Sequence, residues 1–199
     1  MEDKYNLVYI NKFVSKIDKS FNVFQDSYNL NFPETWDKCA KEIQKTLSND
    51  FPGYCKIRKE KSNAGWEMTI DGYASVLTDF DEPDIDLYIY LSPELFSKDL
   101  PIPDETWLTY KSMFRLTVIH ELAHTFQYDD GKNKDDMYFD SPLEIDAYST
   151  ELAFDMYLNK RQQLNCDSYQ RYVNLDDDLF KAFLELSNEK YDYLNTINS

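Results

Sequence analysis

The chain has 199 residues and a formal net charge of −16, with 37 acidic side chains against 21 lysines and arginines. That length fits one domain, able to bury roughly 70% of its unfolded surface, and 13 Phe, 16 Tyr and 3 Trp supply much of a core. The charge repels phosphate backbones and no basic stripe offsets it, so nucleic acid is excluded as a partner. There is no run of about 18 apolar residues and no apolar stretch of signal-peptide type near the start, so a membrane role is excluded and a soluble, cytoplasmic protein is expected. Three widely spaced cysteines, Cys39, Cys55 and Cys166, suggest neither a disulfide framework nor a CxxC metal site.

Residues 1–50 read as a helical segment. Within it Pro33 opens a run in which Trp36, Cys39, Ala40, Ile43 and Leu47 recur at helical spacing, ended by the breaker at 49–53. Residues 51–100 change to period-two alternation: Tyr54 onward, then Trp66, Met68 and Ile70 against Glu67, Thr69 and Asp71, then 85–91. Three or four strands making a small mixed sheet are expected there. Residues 101–165 return to helical periodicity, with one helix over about 105–128 and a second from Ser141-Pro142, an N-cap followed by a first-turn proline. A C-terminal helical extension, 166–199, completes a single expected domain.

The chemistry lies in residues 120–124, His-Glu-Leu-Ala-His, which contain both histidines of the chain. On a helix the two imidazoles project from one face and can bind a metal, while Glu121 on the flank can reach a water without binding the metal itself. At 100° per residue, Leu108, Leu116, Val118, Ile119, Leu122, Ala123 and Phe126 form an apolar flank. Thr117, His120, Glu121, His124 and Tyr128 share the other side, so one side is expected to pack and the other to face a cleft.

Catalytic zinc takes three protein ligands and leaves a position open. Without a third histidine the remaining ligand must be a carboxylate or a thiolate. Glu144, with 19 residues between it and His124, stands at the start of the next helix. There Glu144, Tyr148, Glu151 and Asp155 make a polar stripe between two apolar ones, a pattern that suits a stripe facing a metal. The rival explanation is a capping box from Ser141 to Glu144, in which the glutamate serves only the helix end. Asp130, six residues after His124, would be the ligand in an HExxHxxGxxD scheme, but Gln127 occupies the glycine position and ranks it second.

HELAH followed by a downstream helical glutamate resembles the gluzincin class of zinc metallopeptidases, over about residues 85–160. The resemblance implies an α+β zincin-like fold, a small mixed sheet packed on the active-site helix with a helical C-terminal half. It implies Zn2+ held by His120, His124 and Glu144, and Glu121 as general base. It also implies hydrolysis of a protein or peptide substrate lying along the 85–91 strand as an edge. Two departures stand out: Tyr148 replaces the aspartate that often orients a motif histidine, leaving Asp146 or Asp140 to do so, and the oxyanion donor must be a tyrosine (Tyr128, Tyr138, Tyr148 or Tyr157) or an arginine. A zinc amidase with a non-protein substrate and a non-catalytic, zinc-stabilised interaction module are the alternatives.

Overall fold

A computed structural model describes the backbone of residues 6–25, 41–42, 44–45, 55–61, 68–77, 82–91, 104–129 and 141–198. Side chains are described for 6–19, 41–42, 44–45, 105, 108–109, 111–127 and 141–198. The elements are α1 (Leu7–Gln25), β1 (Cys55–Lys61), β2 (Met68–Leu77), β3 (Glu82–Leu91), α2 (Asp104–Asp129), α3 (Pro142–Asn159), a 3-10 turn (Gln163–Asn165), α4 (Asp167–Tyr172) and α5 (Asp177–Ile197). Of the helix expected from Pro33 to Leu47, residues 41, 42, 44 and 45 are described and are helical; the breaker at 49–53 lies outside the described residues. No helix among the described residues is long and apolar enough to cross a membrane.

The chain divides into two compact units, one of residues 1–11 and 119–199, the other of residues 12–118. In the first, α3 is central. It begins because Ser141, extended at φ −70 and ψ 152, accepts a hydrogen bond from the Glu144 N–H, with Pro142 preset in the first turn. It ends at Lys160 in the left-handed region, φ 54 and ψ 32. Between these caps the helix is largely buried: every residue from Ser149 to Met156 is withdrawn from solvent, with Ile145, Leu152 and Met156 on one flank and Ala147 and Phe154 on another. A helix buried over two full turns needs neighbours on more than one side. α4 and α5 provide them through a core of Ile145, Leu152, Met156, Cys166, Tyr172 and Phe183, in which the Tyr172 and Phe183 rings stack at 4.6 Å. The start of α1 adds Leu7 and Ile10, fully buried, and Tyr9, whose ring meets Phe126 edge-on at 5.3 Å.

In the second unit, Arg115 donates through Nη1 to both carboxylate oxygens of Asp18 at 3.2 and 3.3 Å, with Lys111 3.7 Å from the same carboxylate. The backbone of β1, β2 and β3 pairs in the order β1-β3-β2, β1 parallel to β3 and β2 antiparallel to it.

Two expectations are corrected. The α+β zincin-like architecture gives way to a mostly helical one: where side-chain environments are described, 89% of residues are helical and none is in a strand. In the unit that carries the HELAH segment the described elements are helices, and it is α4 and α5 that cover α3. The reading of 85–91 as a free edge for substrate also fails. β3 is the middle strand, paired from Ile85 to Leu91 on both sides, so its backbone donors and acceptors are already engaged. A smaller difference concerns α2, whose Leu108 is 52% exposed instead of packed, whereas Glu121, His120 and His124 on the opposite side are buried. Both flanks of the motif segment are enclosed.

Removing Phe183 should therefore be costly: Phe183→Ala is expected to lower stability by about 3–5 kcal/mol. Leu164→Ser, at a position 59% exposed, should stay within about 0.5 kcal/mol. Urea unfolding followed by circular dichroism measures both.

Candidate metal centre

His120 and His124 stand one turn apart on α2, their rings edge-to-face with centroids 4.7 Å apart. Their Nε2 atoms converge to 3.0 Å. From the first turn of α3, Glu144 reaches both: Oε2 lies 3.4 Å from His120 Nε2 and Oε1 3.3 Å from His124 Nε2. Donor atoms of all three residues fall within 4.8 Å of one another. Ligands held tetrahedrally at about 2.0–2.1 Å from zinc are separated by about 3.3–3.4 Å; the two Glu144–histidine separations match this, while the two Nε2 atoms stand closer together, at 3.0 Å. The Ser141 hydroxyl caps the Glu144 N–H while the Glu144 carboxylate turns to the histidines. One residue thus serves the helix end with its backbone and the site with its side chain. Asp130 and Asp140 lie outside the described residues, as does Tyr138.

Protonation favours a ligand set. Burial works against the Glu144 carboxylate, but hydrogen bonds from His120 and His124 overcome it and hold the group down at about 2. His120 is lowered, chiefly by burial, and so inclines to the neutral form that binds metal. His124 is raised: burial opposes the charged ring but Glu144 and the nearby charge of Glu121 outweigh it. Metal and proton therefore compete for this nitrogen.

The outward nitrogens are also arranged. The Gln127 amide nitrogen donates to the Leu143 carbonyl at 3.0 Å and to Asp146 Oδ2 at 2.8 Å, which leaves its oxygen facing His124 Nδ1 at 2.8 Å. The Gln127 oxygen calls for a proton on His124 Nδ1, so the proton that Nε2 shares with Glu144 is the one a metal would displace, leaving the Nε2 lone pair inward. Asp146, one of the two expected substitutes for the missing aspartate, thus acts through Gln127. For His120, buried Nδ1 makes no hydrogen bond, and Glu151 Oε2 faces it across 3.7 Å. Glu151 lies one turn beyond Tyr148 on the same stripe. Burial raises it to about 8, opposed by Arg171 and reinforced by the charges of Asp155, Asp167 and Glu121.

Tyr148 covers the same histidine, ring centroids 4.2 Å apart, and its hydroxyl accepts from Arg171 Nη1 at 2.8 Å. Burial pushes the phenol up to about 12, so it stays protonated and able to donate. Tyr157, also on α3, instead packs under Lys160, and the side chain of Tyr128 is not described. Cys166 is buried with its thiol pushed up to about 12 by burial, so it is no thiolate ligand. Glu121 is 4% exposed, beside His120.

Gln127 and Arg171 were missed by the sequence reasoning. Gln127 has a signal in the sequence, since it sits three residues after His124 on the histidine face. Arg171 had none, being 23 residues from Tyr148 on another helix. Compared with protein-family models, curated proteins and solved structures, the chain matches none.

Three substitutions separate the roles. Glu144→Ala should weaken zinc binding by more than the roughly 10–100-fold that changes outside the ligand set cause, while Asp130→Ala keeps the wild-type constant; equal loss in both would transfer the ligand role. Ser141→Ala should keep its zinc and lose about 0.5–2 kcal/mol of stability. Independently, free zinc at about 1,000 times its dissociation constant should stabilise the fold by roughly 4 kcal/mol, a gain that EDTA reverses in a thermal melt.

Proposed function

We propose that this chain is a zinc-dependent metallopeptidase whose metal is held by His120, His124 and Glu144 and whose general base is Glu121. The observation that carries the reading is the convergence of two imidazole nitrogens and a carboxylate at separations of 3.0, 3.3 and 3.4 Å, with a second buried glutamate beside the first histidine. A site that merely joined two helices needs no such base, and structural zinc usually has four protein ligands.

When bound, the ion lowers the pKa of a water toward about 7 and polarises the scissile carbonyl. Glu121 removes a proton from the attacking water as its oxygen bonds to the carbonyl carbon. As the C–N bond breaks, Glu121 passes that proton to the leaving amine. Negative charge gathering on the carbonyl oxygen needs a donor. Tyr148 fits, being protonated, packed on His120 and oriented by Arg171. The acidity of the chain favours substrates with basic segments. The odd, widely spaced cysteines agree with a reducing compartment such as the cytoplasm.

Glu121→Gln should retain zinc and lose about 10²–10⁴-fold in kcat on a peptide library. Persistent turnover with metal bound would refute the base assignment. A wild-type protein that binds zinc yet cleaves nothing in the library would favour the interaction-module alternative. Tyr148→Phe should cost about 10²–10³-fold in kcat with little change in KM.

A further inference from the structure

Lys190 on α5 is 1% exposed, an unusual setting for an ammonium. Its Nζ lies 2.6 Å from Asp146 Oδ1, 2.8 Å from the Asp146 carbonyl, 2.8 Å from Ser149 Oγ and 2.7 Å from Thr150 Oγ1. An ammonium has three N–H bonds, so these acceptors saturate it, and the Asp146 carboxylate balances its charge. That carboxylate is thereby fixed at the N-terminal end of α3. Its second oxygen accepts from the Gln127 amide, and the Gln127 oxygen meets His124 Nδ1. The chain of bonds runs without a gap from the C-terminal helix to a metal ligand.

Such a chain does more than hold helices together, because it decides which nitrogen of His124 carries hydrogen. If the Gln127 amide were turned over, its oxygen would face the Asp146 carboxylate and the Leu143 carbonyl, two oxygen-to-oxygen contacts. Its NH2 would then point at Nδ1 and move the ring proton to Nε2, the nitrogen needed bare. Asp146 and Leu143 forbid that arrangement only while Asp146 is held in place. We propose that Gln127, Asp146 and Lys190 are positioning residues for His124, so that α5 sets the metal affinity of the HELAH motif. The inference rests on the metal-site reading above. It assigns the C-terminal helix a part in the site.

Dissociation constants for Co2+ and Zn2+, from visible absorption and chelator competition, test this in the full-length protein with a double-mutant cycle. Gln127→Ala should weaken binding roughly 10–100-fold. Lys190→Met should weaken it in wild type and add nothing once Gln127 is alanine, because its influence passes through that amide. Wild-type affinity in Gln127→Ala, or a Lys190→Met loss undiminished in the double variant, would overturn the proposal. Should Lys190→Met not fold, Asp146→Asn takes its place in the cycle. Nitrogen-15 spectra of metal-free protein, above the histidine pKa values, provide a second readout in which only two imidazoles contribute. Wild type should show His124 as the Nδ1–H tautomer and Gln127→Ala as Nε2–H, and the same tautomer in both would refute the orienting role. A wild type that takes up neither ion would defeat the metal reading instead, while leaving this tautomer comparison able to decide the positioning.

Discussion

A carboxylate set between two imidazoles joins α2 to α3, and much of the surrounding arrangement follows from the need to keep it there. Glu144 is partly withdrawn from water, where an ionised carboxyl without partners would be expensive. Two histidines one turn apart offset that cost, and the positive dipole end of α3 favours a negative charge in its first turn. Because both histidines come from one helix and the glutamate from another, the contact ties the placement of α2 to that of α3 at this point. Packing elsewhere on α3 has to be compatible with it.

That packing is unusual in one respect. The polar residues of α3, Glu144, Tyr148, Glu151 and Asp155, are buried or half-buried along with its apolar ones. Each then needs an internal partner. Tyr148 has Arg171 and the His120 ring, Asp155 has Asn159 and Arg161, and Glu151 faces His120 under conditions that favour its protonated form. A helix committed in this way is poorly suited to the surface and well suited to presenting several ionisable groups at fixed spacing. The aromatic cluster of Tyr172, Phe183 and Phe180 behind it supplies the rigid backing.

The local signals in the sequence were strong where chemistry and backbone coincide. HELAH, the Ser141-Pro142 start and the stripe from Glu144 to Asp155 could all be read from spacing, since each depends on a single helix. What joins different helices could not. Arg171 beside Tyr148 and Lys190 beside Asp146 are contacts across 23 and 44 residues, and no periodicity encodes them. The fold class failed for a related reason: alternation over 54–91 describes strands but says nothing of which layer they join. The resemblance implied a sheet against the HELAH helix, whereas α3 is covered by the helices α4 and α5. Strand order was equally hidden, because the residues of β3 alternate whether they lie at an edge or in the middle.

The order β1-β3-β2 has one more consequence. It leaves Cys55–Lys61 on the rim of the described sheet, and that segment, CKIRKEK, has four cations in seven residues within a chain whose net charge is −16. Lysine-rich rims discourage one sheet from adding to another, since two copies brought together would set like charges side by side. The same feature makes this rim a local reversal of the chain's overall sign.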